Sequence, residues 1–189
     1  RFLDTSDRGN LVEVAKVEGR LLTAPTLGEL LQAAGRRMLV VSSGSTGSSF
    51  LNNHTVSGGA ILHYRYVLPE SLAEDMKVLG APPGDDAPAG ALDRFAVDAF
   101  LKVGLPRIDP SVTVMWLSDL DSTAHDKGIG DPATVDILRH VDGQIARIEE
   151  GLKAAGLFDT FNIWVTSDHG FSTHSGEVAL DALLKPYAG

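Results

Sequence analysis

The chain contains no cysteine. That absence excludes a disulfide framework, a thiolate zinc site and a cysteine nucleophile, so any bound metal must rely on imidazole and carboxylate groups. Positive charge is also short, with 16 Lys and Arg against 25 Asp and Glu and a net charge of −9. Nucleic-acid polymers and anionic membranes are held by clustered Lys and Arg, so neither is expected as a general partner; a local basic pocket remains compatible with this balance. No stretch approaches the roughly 20 apolar residues that cross a bilayer, so no membrane span is expected. The opening RFLDTSDRGN has no initiator Met and neither the basic nor the apolar region of a leader. With the closing LLKPYAG it reads as a cut end, and the 189 residues suffice for a single α/β domain, 1–189.

What is present is an alternation of helix and strand patterns. In TLGELLQAAGRR, 26–37, Leu27, Leu30, Leu31 and Ala34 recur at helical spacing, with Thr26 as N-cap and Gly35 as stop. MLVVS then reads as a buried strand, and SGSTGSS as the flexible turn at its exit. AILHYRYVL, 60–68, predicts an outer strand or a solvent-side excursion, and GAPPGDDAPAG, 80–90, a loop. Leu92, Phe95, Ala96, Ala99 and Phe100 predict a helix that ends at Gly104 and Pro106, followed by a second buried strand in SVTVMWLSDLD. From Pro132 to Gly156 the apolar positions step by three or four, predicting a long amphipathic helix, and FNIWVTSD, 161–168, reads as a third strand. Short connections between alternating helices and strands imply an α/β fold, a mostly parallel sheet flanked by helices.

In such sheets functional groups gather where strands end. The second exit offers Asp121 and His125, four apart and therefore on one side of a helical turn. The third offers the adjacent Asp168 and His169, which can reach one ion only where the strand breaks into a turn, and Gly170 permits that break. One Asp-His doublet is more often a capping or hydrogen-bonding pair. Two pairs at two exits of one sheet suit two metal ions about 3.5–4 Å apart, an arrangement fitted to phosphoryl transfer. His63 and His140 read as packing or surface histidines, and His54 and His174 as supporting or surface residues. The Ser/Gly loop 43–49 lacks the Lys of a phosphate-cradling loop.

The segments LDSTAHDKGIGDP, VDILRHVDGQIARIEEGLKAAGLFD and TFNIWVTSDHG, in this order and with 43 residues from His125 to Asp168, closely resemble the second half of the catalytic domain of type I phosphodiesterases and nucleotide pyrophosphatases, in the alkaline phosphatase superfamily. TAPTLGELLQAAGRRMLVVSSGSTGSSFLNNH is similar to the region before it, and the resemblance spans nearly all of 20–178. It implies an alkaline phosphatase-like core, incomplete here, and a two-zinc hydrolase of phosphodiester or pyrophosphate bonds working through a covalent phosphoryl-enzyme. Asp121 and His125 would bind one zinc, Asp168 and His169 the other. Asp121 is preferred to Asp119 because it gives the four-residue step to His125, and Ala124 stands where many relatives have Gly.

The resemblance also implies that the nucleophilic Thr or Ser, a first metal-binding Asp and the first strand lie upstream of Arg1, and a further His ligand beyond Gly189. The chain is therefore expected to be a fragment of a longer catalytic domain, inactive in isolation. Ser45, Thr46 and Ser172 do not match the nucleophile's motif. The substrates implied are small-molecule phosphate esters or nucleotides, and the location implied is periplasmic or extracellular. Two alternatives stay open: a non-catalytic α/β binding module, and a sister hydrolase of phosphomonoesters, phosphonates or sulfate esters.

Overall fold

The computed structural model describes residues 3–84, 86–173, 176 and 178–187. Its centre is an open sheet in the order β3-β2-β1-β4. Strand β1 (Met38–Ser42) pairs in parallel with β2 (Ala60–His63) on one side and with β4 (Val112–Trp116) on the other, and β3 (Tyr66–Leu68) closes an antiparallel hairpin with β2. The mostly parallel α/β sheet expected from the sequence is therefore present. The stretch 60–68 supplies two strands instead of one outer strand, and its first half, β2, is wholly buried inside the sheet.

Alternation along the strands sends side chains to two faces, each covered by helices. Leu39, Val41, Ala60 and Leu62 face a cluster completed by Ala96, Ala99, Phe100, Val103 and Leu152. Met38, Val40 and Ile61 face Leu11 and Phe50. The second face is covered by α1 (Arg8–Glu18), α2 (Leu27–Ala33) and α3 (Thr46–Asn52). Helix α1 was not anticipated. It starts on Asp7, whose carboxylate accepts from the Gly9 N–H, and it is tied to α3 by the bond from Gly47 N–H to Ser6 O at 2.7 Å. Gly47 is required there, because a Cβ would lie 1.9 Å from the Thr5 carbonyl oxygen. Helix α2 begins with a capping box: Thr26 accepts from Glu29 N–H while the Glu29 carboxylate accepts from Thr26 N–H.

A short helix, α4 (Ala73–Met76), leads to the first face, which is covered by α5 (Ala91–Ala99), α6 (Leu105–Ile108) and α8 (Pro132–Ala154). The helix expected to stop at Gly104 and Pro106 instead runs on through a π-helical turn, Phe100–Gly104, into α6, and ends at Asp109 with φ of 49°. The π turn resets the hydrogen-bond register, so Pro106 falls in the first turn of α6, where no intrahelical donor is needed. Helix α8 matches its expected extent. Asp131 caps it by accepting from Ala133 N–H, Pro132 opens it, and Gly156 with φ of 71° follows its end.

One expectation fails outright. Residues 161–168 form no strand, and among the described residues β4 has no neighbour on its outer side. Trp164 is 89% and Val165 70% exposed. The apolar pattern is that of a strand, but a strand exists only through a ladder with a neighbour, and this segment is bonded to none.

Candidate metal centre on helix α7

Because β1, β2 and β4 are parallel, their carboxyl ends share one edge, with Ser42 in register with both His63 and Trp116. From that edge β4 passes into α7 (Asp119–Lys127), which carries both Asp121 and His125. The helical turn assumed from the four-residue step is real, and His125 Nε2 lies 3.6 Å from Asp121 Oδ1. The start of α7 is fixed from across the fold. Asp93 Oδ1, from the first turn of α5, accepts from Ser118 N–H at 3.0 Å, Asp119 N–H at 3.3 Å and the Ser43 hydroxyl at 2.6 Å. In return Asp119 Oδ2 accepts from Asp93 N–H at 3.1 Å. Asp119 is thus engaged in holding α5 to α7. Burial of Asp93 pushes its carboxyl up to about 6, the Ser43 hydroxyl opposing this and the Asp119 charge adding to it.

His169 reaches the same helix, although not from the end of a strand, and Asp168 contacts His169 alone among these groups. His169 Nε2 stands 3.3 Å from Asp121 Oδ1 and 3.8 Å from Asp168 Oδ1. Gly170, expected to ease a turn through its backbone freedom, does not occupy the left-handed region. It contributes its carbonyl, 3.0 Å from His169 Nδ1. If Nδ1 donates there, the Nε2 lone pair faces Asp121, the orientation typical of a metal-binding imidazole. That bond to Gly170, then Asp168 and Asp121, hold the His169 pKa above the usual imidazole value. Phe171 lies edge-on to both imidazoles, its centroid 4.9 Å from that of His125 and 5.3 Å from that of His169. It pins 168–171 against α7.

Asp121 Oδ1 is a buried oxygen without a hydrogen bond, flanked by two imidazole nitrogens. Two ligands about 2.0–2.1 Å from a tetrahedral ion lie roughly 3.3 Å apart, so an imidazole-carboxylate set of this spacing suits a zinc-like cation in chemistry and in pairwise distance. Among the described residues, however, no group of three or more His, Asp or Glu converges closely enough to hold an ion. The four residues form a chain of contacts centred on Asp121, and His169 approaches Asp121 more closely than Asp168.

A family model described as type I phosphodiesterase / nucleotide pyrophosphatase matches residues 25–187. The chain belongs to this family. Curated relatives include ectonucleotide pyrophosphatase/phosphodiesterase family member 7 of Mus musculus, 31% identical over 80 residues, which are 42% of this chain and 18% of that protein. The Rattus norvegicus protein of the same name is 31% identical over 65 residues, 34% of this chain and 15% of the relative. The matched part is thus less than a fifth of either relative's length. No solved structure matches.

The remaining candidates of this phosphodiesterase-family chain have other roles. His63 is 2% exposed, burial lowers its pKa, and its ring bridges Gly44 O at 2.9 Å and Arg65 N–H at 3.0 Å, a packing role. His54 lies edge-on to Phe50, and the His140 ring packs against Gly90. Ser45 caps α3, and Thr46 Oγ1 accepts from Arg8 N–H. His174 lies outside the described residues. Asp93, Ser43 and Phe171 were not singled out by the sequence reading. An acid in the first turn of α5 was the one local hint, and it pointed to capping of its own helix.

Proposed function

We propose that the complete protein is a metal-dependent hydrolase of phosphodiester or pyrophosphate bonds in small-molecule phosphate esters or nucleotides. The observation that supports this most is the buried, unbonded Asp121 Oδ1 between two imidazole nitrogens, in a chain of this family. Asp121, His125, Asp168 and His169 are the proposed metal donors, and two zinc ions the proposed complement. When bound, such an ion supplies Lewis acidity at phosphoryl oxygen and lowers the pKa of the attacking hydroxyl. The chain's own residues concentrate negative charge at the mouth of the sheet, fix the imidazole at Gly170, and hold α7 in place through Asp93. The covalent step, in which a Thr or Ser oxygen bonds to phosphorus as the alcohol leaves, is assigned to a hydroxyl outside the loop 43–49, whose Ser43, Ser45 and Thr46 are spent on structural bonds.

Among the described residues no helix is long and apolar enough to cross a membrane. The prefix in the relatives' names supports a periplasmic or extracellular location, which cell fractionation tests. The activity is tested on the complete protein with an aryl phosphodiester. Asp168→Ala and His169→Ala are expected to lower kcat/KM at least about a hundredfold while the fold is kept. Undiminished turnover in a folded Asp168→Ala protein would overturn the reading.

A further inference from the structure

His125 and His169 are oriented by different means. The Gly170 carbonyl lies 3.0 Å from His169 Nδ1, where a hydrogen bond to the second ring nitrogen fixes the plane of a ligating imidazole. His125 has no counterpart. Among the described residues no hydrogen bond reaches either of its ring nitrogens, and its Nε2 lies 3.6 Å from Asp121 Oδ1, too far for one. Its side chain is 68% exposed, so packing in the core does not set the ring plane either. The Cβ–Cγ torsion of a histidine is broad when nothing restrains it.

The ring contact made by His125 is with Phe171. The two rings are T-shaped, 4.9 Å between centroids with their planes at 71°, and Phe171 meets the His169 ring in the same manner at 5.3 Å and 62°. One phenyl ring therefore touches both imidazoles, the first on α7 and the second 44 residues further along the chain. T-shaped pairs are favoured by the charge distribution of the rings, so they select a relative plane as well as a contact. Such a pairing narrows the His125 torsion that no hydrogen bond restrains.

Asp121 shows what this orientation preserves. Its side chain is 45% exposed, yet its Oδ1 is sealed from solvent and has no hydrogen bond. The nitrogens that approach this atom belong to the two imidazoles, and Phe171 touches both of those rings.

We propose that Phe171 is a positioning residue of the candidate metal centre. Its ring orients the His125 imidazole in place of the missing hydrogen bond and fixes the spacing of His125 from His169. Phe171 has no donor atom and acts only through the two imidazoles. The inference rests on the metal-dependent reading above.

The test is titration of the complete protein with Co2+, whose visible absorption reports the geometry of its ligands. Phe171→Leu keeps an apolar side chain without a ring plane, and the Co2+ affinity is expected to fall at least about tenfold, with a change in the visible bands. Phe171→Tyr keeps the ring and is expected to retain both affinity and spectrum. Thermal unfolding of each variant separates loss of the fold from loss of orientation, and Phe171→Ile, also without a ring plane, takes the place of Phe171→Leu if that variant fails to fold. An unchanged affinity and spectrum in folded Phe171→Leu, or equal impairment of Phe171→Tyr and Phe171→Leu, overturns the inference alone. Absence of Co2+ binding by the unsubstituted protein overturns the metal-dependent reading and this inference with it.

Discussion

Asp93 and Asp119 hold each other's helices: Asp93 Oδ1 accepts from the first N–H groups of α7, and Asp119 Oδ2 accepts from Asp93 N–H in the first turn of α5. Both carboxylates sit where helix dipoles favour negative charge, and both are buried, Asp93 fully. Two like charges are thereby brought together, with Asp93 Oδ2 left without a partner. The gain is that α7, with Asp121 and His125, is fixed in position relative to α5 and to Ser43 at the end of β1.

This pair predicts a pH dependence. The Asp93 pKa moves from its ordinary 3.8 to about 6 on folding. Between those values the folded chain keeps a proton that the unfolded chain releases, so this group's contribution to stability falls as pH rises from about 4 to 6 and stays low above that. The difference is on the order of 2–3 kcal/mol. Asp93→Asn should flatten that part of the stability profile while keeping an acceptor for α7. Urea unfolding at pH values from 4 to 7.5 checks this, and an unchanged slope in Asp93→Asn would remove the assignment.

The imidazole of His169 should stay protonated to higher pH than a free imidazole, since Gly170, then Asp168 and Asp121, favour its charged form. The contacts of the charged ring are therefore complete at low pH and lost as pH rises through its raised pKa. NMR titration of the histidine ring signals reads this directly. Zinc added to the complete protein should displace the proton and abolish the titration, because a ligating imidazole must be neutral. A ring that titrates unchanged in saturating zinc would exclude His169 as a ligand.

The exposed segment 162–168 should contribute little to stability here, in contrast to Phe161, which packs against the core. Trp164→Ala and Val165→Ala, both at exposed positions, are expected to stay within about 0.5 kcal/mol. Ile61→Ala, at a fully buried position of β2, should cost about 2–5 kcal/mol. Denaturant unfolding of the three variants compares them, and a core-sized loss at Trp164 would mean that the segment is packed after all.

Gly59 should not tolerate a side chain. A Cβ there would lie 1.8 Å from the Met38 carbonyl oxygen, so β2 could not keep its register beside β1. Gly59→Ala is expected to lower the thermal midpoint by several degrees, while Gly143→Ala, on α8 with open space around it, should raise stability slightly.

What the sequence determined by itself is local. Thr26 and Glu29 cap α2, the three-and-four spacing from Pro132 onwards makes α8 amphipathic, and the four-residue step puts Asp121 and His125 on one side of α7, because helices close their hydrogen bonds within a few residues. The resemblance carried by the same motifs pointed to the family. What only the tertiary structure decided are relations between distant residues. FNIWVTSD has the pattern of a strand, but the described residues provide no neighbour for it. Pro106 has the identity of a breaker, but a π turn takes it into a helix. His169 meets Asp121 across a separation that no local rule connects, and Phe171 holds it there. Asp93 looked like an ordinary first-turn acid. Only when α5 and α7 are packed side by side does its carboxylate become buried, raised in pKa, and bonded to the helix that carries the candidate ligands.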